Sequence, residues 1–279
     1  PYRYTTAREY NLRRLWRWHL ERVTREGLTY YRFGGWEGIR HGVFTRQGGA
    51  SCAPFDSLNL GGNVGDDPKA VRQNHERMYA TLGVDDAKAC TVWQVHSADV
   101  VIANQPVSGR RWLAHADGLM TDRVGLPLSM RFADCTPILY HDPRNGVIAI
   151  AHAGWRGTVQ GIAGIVIRAM VSGYGCDPAD IRAGIGPAIG PNKYQVGEEV
   201  VAAVQEHFGT TAGLIRRDAT DGTAYLNLWA ANQLDLERAG VLSEHIDVAG
   251  LCTAEHVDEF FSHRQEKGKT GRFGAVIAL

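Results

Sequence analysis

Apolar and polar positions follow two periods along this chain of 279 residues. Between residues 7 and 26, Leu12, Leu15, Trp16, His19, Leu20 and Val23 recur at helical spacing, with arginines on the opposite face, and Gly27 ends the run. The pattern predicts an amphipathic helical extension over 1–27, followed by one domain over 28–279. From Leu28 to Gly65 it changes to short strands punctuated by Gly34-Gly35, Gly48-Gly49 and Gly61-Gly62. Asp66, Asp67 and Pro68 open a predicted helix that runs to about Leu82, with acidic charge at its positive end. Further helices are predicted over Thr158–Met170, 197–208 and 227–239. Predicted strands cover Thr91–Ala103, Pro127–Phe132, Pro137–Tyr140, Val147–Ala151, Asp180–Ile185, Ile246–Leu251 and Phe273–Leu279. Strands and helices mix without strict βαβ alternation, which favours an α+β fold in one domain.

Asp142-Pro143-Arg144-Asn145-Gly146 separates two apolar runs and reads as a hairpin turn. If Asp142 pairs with Val147, Pro137 lies opposite His152. Cys135 then stands two residues beyond that pair, at the same end and on the same face, about 7 Å along the strand. A slip of one residue would turn Cys135 and His152 to opposite faces. His96 ends the alternating run Val92-Trp93-Gln94-Val95-His96, in which Gln94 and His96 share a face. Two histidines and a cysteine can supply three ligands to a metal and leave a fourth position open. The alternative for each His is a satisfied structural residue, and for Cys135 a small buried hydrophobe. His152-Ala153-Gly154-Trp155-Arg156-Gly157-Thr158 runs from strand to helix. Its glycines let backbone N–H groups approach an anion, or serve only a tight turn with Trp155 in the core.

Composition narrows the classes. The chain has 30 basic and 30 acidic side chains and is 44% hydrophobic, so neither disorder nor a broadly basic nucleic-acid surface is expected. No apolar run approaches the ~20 residues of a membrane span, and Pro1–Leu20 has no apolar signal core. Zero net charge conceals an uneven distribution: residues 1–40 hold nine Arg against four Glu, a local charge of +5. The five cysteines are scattered, with no CxxC pair, which points to free thiols in a reducing cytoplasm.

Several strings carry a resemblance: Gln94-Val95-His96-Ser97, Ala116-Asp117-Gly118, Ala133-Asp134-Cys135-Thr136-Pro137-Ile138 and His152-Ala153-Gly154-Trp155-Arg156-Gly157. With His41-Gly42-Val43-Phe44-Thr45-Arg46, Ser57-Leu58-Asn59-Leu60-Gly61, Val64-Gly65-Asp66-Asp67-Pro68, Gly184-Ile185-Gly186-Pro187 and Phe260-Phe261-Ser262-His263-Arg264, they stand in the order found in the YfiH-like family. That family was long labelled multi-copper polyphenol oxidase or "laccase domain" and later recognised as zinc-dependent purine nucleoside phosphorylases. The resemblance covers roughly residues 36–279. It implies two mixed sheets packed as a sandwich with helices outside (α/β/β/α), similar to the catalytic domain of a bacterial deamidating toxin. It implies that His96, Cys135 and His152 form a catalytic, metal-binding trio. It also implies phosphorolysis of adenosine, inosine, guanosine and methylthioadenosine, and deamination of adenosine. The chain departs from the family at Asn192-Lys193, where cysteines are common, and at Asn74-His75, where Asn-Arg is frequent.

Phosphorolysis requires a phosphate held in line with the ribose C1′, and the planar fork of Arg suits phosphate. Arg46 in its Gly-rich turn is the first candidate, and Arg264 and Arg272 follow. Asn59, Gln94 and Asp117 complete the candidate substrate- and phosphate-binding set. Asp117 and Asp134 are available for proton transfer, and Asp134 could instead orient a ligand. The lead reading is a zinc nucleoside phosphorylase acting on a purine nucleoside and phosphate, as a monomer or small homo-oligomer, with no nucleic-acid or membrane partner. Copper is the alternative occupant, with polyphenol oxidation as its chemistry. However, multicopper oxidases use His-x-His pairs, and none of the 11 histidines forms one. A metal-free Cys/His hydrolase acting on peptidoglycan precursors is the third reading, and a non-catalytic binding module the fourth.

Overall fold

The computed structural model describes residues 20–107 and 111–279. Its first elements form a hairpin. β1 (Leu20–Arg25) and β2 (Leu28–Phe33) pair antiparallel around Glu26-Gly27, whose φ values of 52° and 78° give the turn the twist a two-residue hairpin needs. This corrects the helix expected through residue 26. Leu20 and Val23 fit a helical period, but a positive-φ turn is in place at 26–27 and β2 supplies the backbone partners. Residues 7–19 of that expected helix, and most of the 1–27 extension, lie outside the described residues.

β1 and β2 continue into a sheet of five strands, ordered β1-β2-β3-β14-β6, with β3 at Arg40–Phe44, β6 at Leu128–Phe132 and β14 at Phe273–Ala278. The second main sheet has six strands ordered β13-β9-β7-β8-β5-β4. Its members are β4 (Val100–Ile102), β5 (Gly118–Thr121), β7 (Thr136–Asp142), β8 (Val147–Ala153), β9 (Arg182–Ile185) and β13 (Ile246–Val248). A small third sheet, β10-β12-β11, comprises Gln195–Val196, Ala224–Leu226 and Ile215–Arg217. It was not foreseen, because strands of two or three residues carry too little alternation to read.

Side-chain parity builds the layers. Leu139, Ile148 and Ile150 face the five-stranded sheet and pack with Val43, Met130, Phe132 and Phe273. Their neighbours Ile138, Tyr140 and Ala149 face outward onto Ile162, Val166 and Met170 of α3 (Ile162–Tyr174), the third α-helix among the described residues. β7 and β8 are therefore buried on both faces, which is why they read as unbroken apolar runs. The far face of the five-stranded sheet is covered by α1 (Pro68–Leu82), through Met78, Tyr79 and Leu82 against Leu28, Tyr30 and Phe44. The architecture is α+β, two sheets packed face to face with helices outside. Asp67 caps α1 by accepting from Lys69 N, as the Asp-Pro start suggests, and Gly83 ends it at φ 67°.

Two more expectations are corrected. The helix predicted over Thr158–Met170 is broken at Gly161, whose φ of 78° separates α2 (Trp155–Val159) from α3. The strand predicted over Thr91–Ala103 is regular only in β4, and of its early residues Trp93 makes an isolated bridge to His115. Helices α4 (Glu198–Phe208) and α5 (Leu228–Arg238) form where the pattern placed them. Among the described residues no helix is long and apolar enough to cross a membrane.

Candidate active site

The β7–β8 hairpin has the register its turn predicts, with Asp142 opposite Val147 and Pro137 opposite His152. His152 continues the face of Ile148 and Ile150, between the sheets, and its ring packs 5.5 Å from that of Phe132. Asp117 immediately precedes β5, whose Gly118 pairs with Ala151, so Asp117 stands beside His152 at the same end of the sheet. Cys135 lies just before β7 at that end.

His96 reaches the group from a loop rather than from the expected strand. Its φ is 62°, outside any strand conformation. The Asp117 carboxylate imposes that bend: Oδ2 accepts from Val95 N at 3.1 Å, Ser97 N at 2.7 Å and Ser97 Oγ at 3.1 Å. Oδ1 accepts from His152 Nδ1 at 2.7 Å. One fully buried carboxylate thus clasps the backbone on both sides of one histidine and fixes the tautomer of the other. With Nδ1 of His152 carrying a proton, its Nε2 is the nitrogen available to a ligand.

The Cys135 Sγ lies 3.9 Å from His96 Nε2, and the rings of His96 and His152 meet edge to face at 4.9 Å. The ligand atoms of His96, Cys135 and His152 all lie within 4.8 Å of one another, a grouping that could hold a metal ion. The group is graded in exposure: His152 is buried, Cys135 partly so, and His96 open to solvent. Gly154 makes the space. A Cβ there would stand 2.9 Å from Cys135 Sγ and 3.1 Å from His96 Cδ2.

The charges reinforce each other. Burial alone would raise the Cys135 thiol, but His152 and then His96 bring it down to about 6. Burial would likewise lower His152, yet Cys135 and Asp117 hold it up at about 9. Asp117 stays below the usual carboxylate range despite its burial, chiefly through His152. Without a metal the pair is a thiolate beside an imidazolium. A metal would take the thiolate and displace the imidazole proton from Nε2.

Asp134, next to Cys135, has φ 79° and organises the rim. It accepts from Thr253 Oγ1 and from Arg264 N, both at 2.6 Å, while its carbonyl accepts from Ile189 N at 2.9 Å. It therefore ties three distant loops to the site, and the orienting of His152 falls to Asp117. Arg264 lies with its guanidinium 5.3 Å from the Tyr194 ring centroid and donates to Gln195 O. Arg272 donates to Thr270 O and Gly271 O and lies within the fields of Cys135 and Asp134.

The remaining candidates have their polar atoms engaged elsewhere. Arg46 is buried over Phe261 and donates to Asp56 O, Val257 O and Glu266. Asn59 holds the Gly61 turn and the Arg272 backbone, and bonds Asp66. Gln94 pairs both amide atoms with the Arg131 backbone at 2.7 and 3.0 Å, as a strand residue would. Sequence reasoning missed Tyr194, the orienting role of Asp117 and the rim-building role of Asp134. The signal for the two aspartates was their adjacency to Gly118 and Cys135; Tyr194 gave none.

Residues 40–279 match the model of the family described as multi-copper polyphenol oxidoreductase laccase, and the chain belongs to that family, the YfiH-like proteins. It is 40% identical over 242 residues to the purine nucleoside phosphorylase YlmD of Geobacillus stearothermophilus, covering 85% of this chain and 88% of that one. It is 40% identical over 245 residues to the purine nucleoside phosphorylase SCO2081 of Streptomyces coelicolor, covering 87% and 96%. The crystal structure of YlmD from G. stearothermophilus superposes with a TM-score of 0.86 at 36% identity, covering 93% of this chain and 98% of that one. A hypothetical protein YfiH of Bacillus licheniformis gives the same TM-score at 33% identity, covering 93% and 98%.

Proposed function

We propose that this protein is a zinc-dependent purine nucleoside phosphorylase that also deaminates adenosine. The observation that carries the reading is the convergence of His96, Cys135 and His152 around the Asp117 carboxylate, in a chain so similar to relatives named purine nucleoside phosphorylases.

The donor set suits zinc: one thiolate and two imidazoles, the latter held by Asp117, with room for a fourth ligand. Copper would bind such a set by raw affinity. A copper electron-transfer site of His₂Cys type usually adds an axial methionine, and the four methionines here are all packed in apolar clusters. We therefore place polyphenol oxidation second. A bound zinc ion supplies Lewis acidity at the open mouth between the sheets.

The chain's own groups then account for the rest. In phosphorolysis a phosphate oxygen bonds to the ribose C1′. The C1′–N9 bond breaks with its electron pair going to the purine, which takes up the proton that hydrogen phosphate loses. Arg264 and Arg272 offer positive charge to the phosphate. Arg46, Asn59 and Gln94 enter the proposal as the framework that holds these loops in place. Asp117 keeps His152 in one tautomer throughout, and Gly154 leaves the substrate side of the trio clear. In deamination, water adds at C6 of adenosine and ammonia leaves, giving inosine. The five free cysteines, one of them the exposed Cys52, support a reducing cytoplasmic setting.

Elemental analysis together with adenosine as substrate tests this. Stoichiometric zinc, with adenine and ribose 1-phosphate formed only when phosphate is present, is the expected result. Inosine formed without phosphate confirms the second activity. Stoichiometric copper with phenol oxidation and no nucleoside cleavage would overturn the reading.

A further inference from the structure

We propose that Thr253 is a positioning residue for Cys135: its hydroxyl holds Asp134 in the left-handed conformation that brings the thiol to His96 and His152. This rests on the reading of the trio as a metal centre and adds to it a residue that lies outside the trio and acts through Asp134.

Cys135 is not itself paired in β7, whose first pair is Thr136 with Ala153. Its place 3.9 Å from His96 Nε2 therefore depends on the turn that carries the chain from the end of β6 at Phe132 to the start of β7. Asp134 makes that turn with φ 79°. A residue with a Cβ persists in that region only when its surroundings hold it there. Among the described residues, three hydrogen bonds do so. Thr253 Oγ1 donates to Asp134 Oδ1 and Arg264 N to Oδ2, both at 2.6 Å, and Ile189 N donates to the Asp134 carbonyl at 2.9 Å. Thr253 and Asp134 are both buried, so their bond is shielded from competing water. Of these three donors, Thr253 is the one that uses a side chain, so it is the one a substitution can remove.

The loop that bears Thr253 is itself tied down. Thr253 N donates to Ala188 O at 3.1 Å, next to the Ile189 that supports the Asp134 carbonyl. Glu255 N and His256 N donate to Cys252 O at 3.1 and 3.0 Å, and Glu259 N and Phe260 N donate to His256 O at 3.0 and 2.8 Å. At Glu259 the loop meets the N-terminal hairpin. The Glu259 carboxylate accepts from Arg22 of β1 at 2.9 Å through one oxygen and from Tyr31 of β2 at 2.5 Å through the other. The Tyr31 and Phe260 rings lie 5.9 Å apart, and both side chains are buried in the core between the sheets. Thr253 thus presents its hydroxyl from a support fixed at both ends, and Asp134 takes its conformation from that support.

The test uses the full-length protein and its Thr253→Val and Thr253→Ser variants, with zinc and cobalt(II) as probes, each titrated against a competing chelator. Thr253→Val keeps the shape and removes the donor; Thr253→Ser keeps the donor. Thr253→Ala replaces the valine variant should that one fail to fold. Metal affinity is expected to fall about 10-fold in Thr253→Val, the low end of what support around a metal site is worth, and to return most of the way in Thr253→Ser. With cobalt at saturation, the thiolate-to-metal charge-transfer absorption, which reports the bond to Cys135, weakens in Thr253→Val. A hydroxyl with a merely structural role would lower the thermal midpoint of the metal-free protein and leave both metal readouts unchanged. That result overturns the proposal while the metal reading stands, as does a Thr253→Ser variant as weak as Thr253→Val. A wild-type protein that takes up neither metal overturns the metal reading instead. Crystal structures of metal-free wild type and Thr253→Val then decide the positioning: Cys135 Sγ moved from its place beside His96 by more than about 0.5 Å supports it, and an unmoved thiol overturns it.

Discussion

Asp117 Oδ1 meets His152 Nδ1 at 2.7 Å, and the same carboxylate, through its other oxygen, sets the backbone on both sides of His96. Two of the three candidate metal ligands therefore depend on one buried side chain that is not itself a ligand. Asp117→Asn keeps the size of the residue but loses the charge, and its amide nitrogen cannot accept. Metal affinity, read by competition with a chelator, is expected to fall about 10–100-fold. Unaltered affinity would mean that the two histidines hold their positions without Asp117.

Gly154→Ala tests the space beside the trio. Gly154 has φ −73° and ψ 173°, so the backbone tolerates alanine, and what is at stake is the approach of the new Cβ to Cys135 Sγ at 2.9 Å and to His96 Cδ2 at 3.1 Å. Displacing a reacting group by about 1 Å costs on the order of 100-fold in rate. The thermal midpoint of the metal-free protein is expected to move little while turnover falls steeply. Wild-type turnover in the variant would show that the substrate approaches from another side.

The thiol of Cys135 supplies a pH prediction. Its value of about 6 is depressed, so in metal-free protein the thiolate is lost as pH falls through about 6. The value of about 9 at His152 is raised, so the imidazolium is lost as pH rises through about 9. The ion pair therefore stabilises the metal-free fold between those limits. Iodoacetamide labelling of Cys135, followed by mass spectrometry, is expected to rise with a midpoint near 6. His152→Ala should shift that midpoint upward, and bound metal should block labelling. A midpoint near the ordinary thiol value in the wild-type protein would exclude the pairing.

Arg46 separates framework from chemistry. It ties the loop at Asp56 to Val257 and Glu266 and is almost wholly buried. Arg46→Ala leaves Glu266 with its bonds from Ser262 and Thr270 but without its cationic partner, and a loss of about 3 kcal/mol in unfolding free energy is expected. The phosphate KM of the folded fraction should stay close to wild type. A raised phosphate KM with unchanged stability would return Arg46 to the phosphate site.

The sequence was most legible where one local rule acted alone. The five-residue turn at Asp142–Gly146 set the register of β7 and β8, and with it the meeting of Cys135 and His152. The Asp-Pro start of α1 was equally local. Readings failed where a distant partner overrode the local pattern. Val92–His96 alternates like a strand, yet a carboxylate more than twenty residues away bends it at His96. Leu20–Arg25 has helical spacing, yet the turn at Glu26-Gly27 and the edge of β2 make it a strand. Tyr194 and Arg264, whose guanidinium lies beside its ring, come from separated stretches, and no spacing rule links them.

If His96, Cys135 and His152 carry out phosphorolysis, the product formed from inosine reveals it. Protein purified without added metal is incubated with inosine across a range of phosphate concentrations, and ribose 1-phosphate is measured. Ribose 1-phosphate is expected in equal amount to hypoxanthine, rising with phosphate, and none from Cys135→Ala that remains folded. Hypoxanthine formed without phosphate, or full activity in Cys135→Ala, would contradict it.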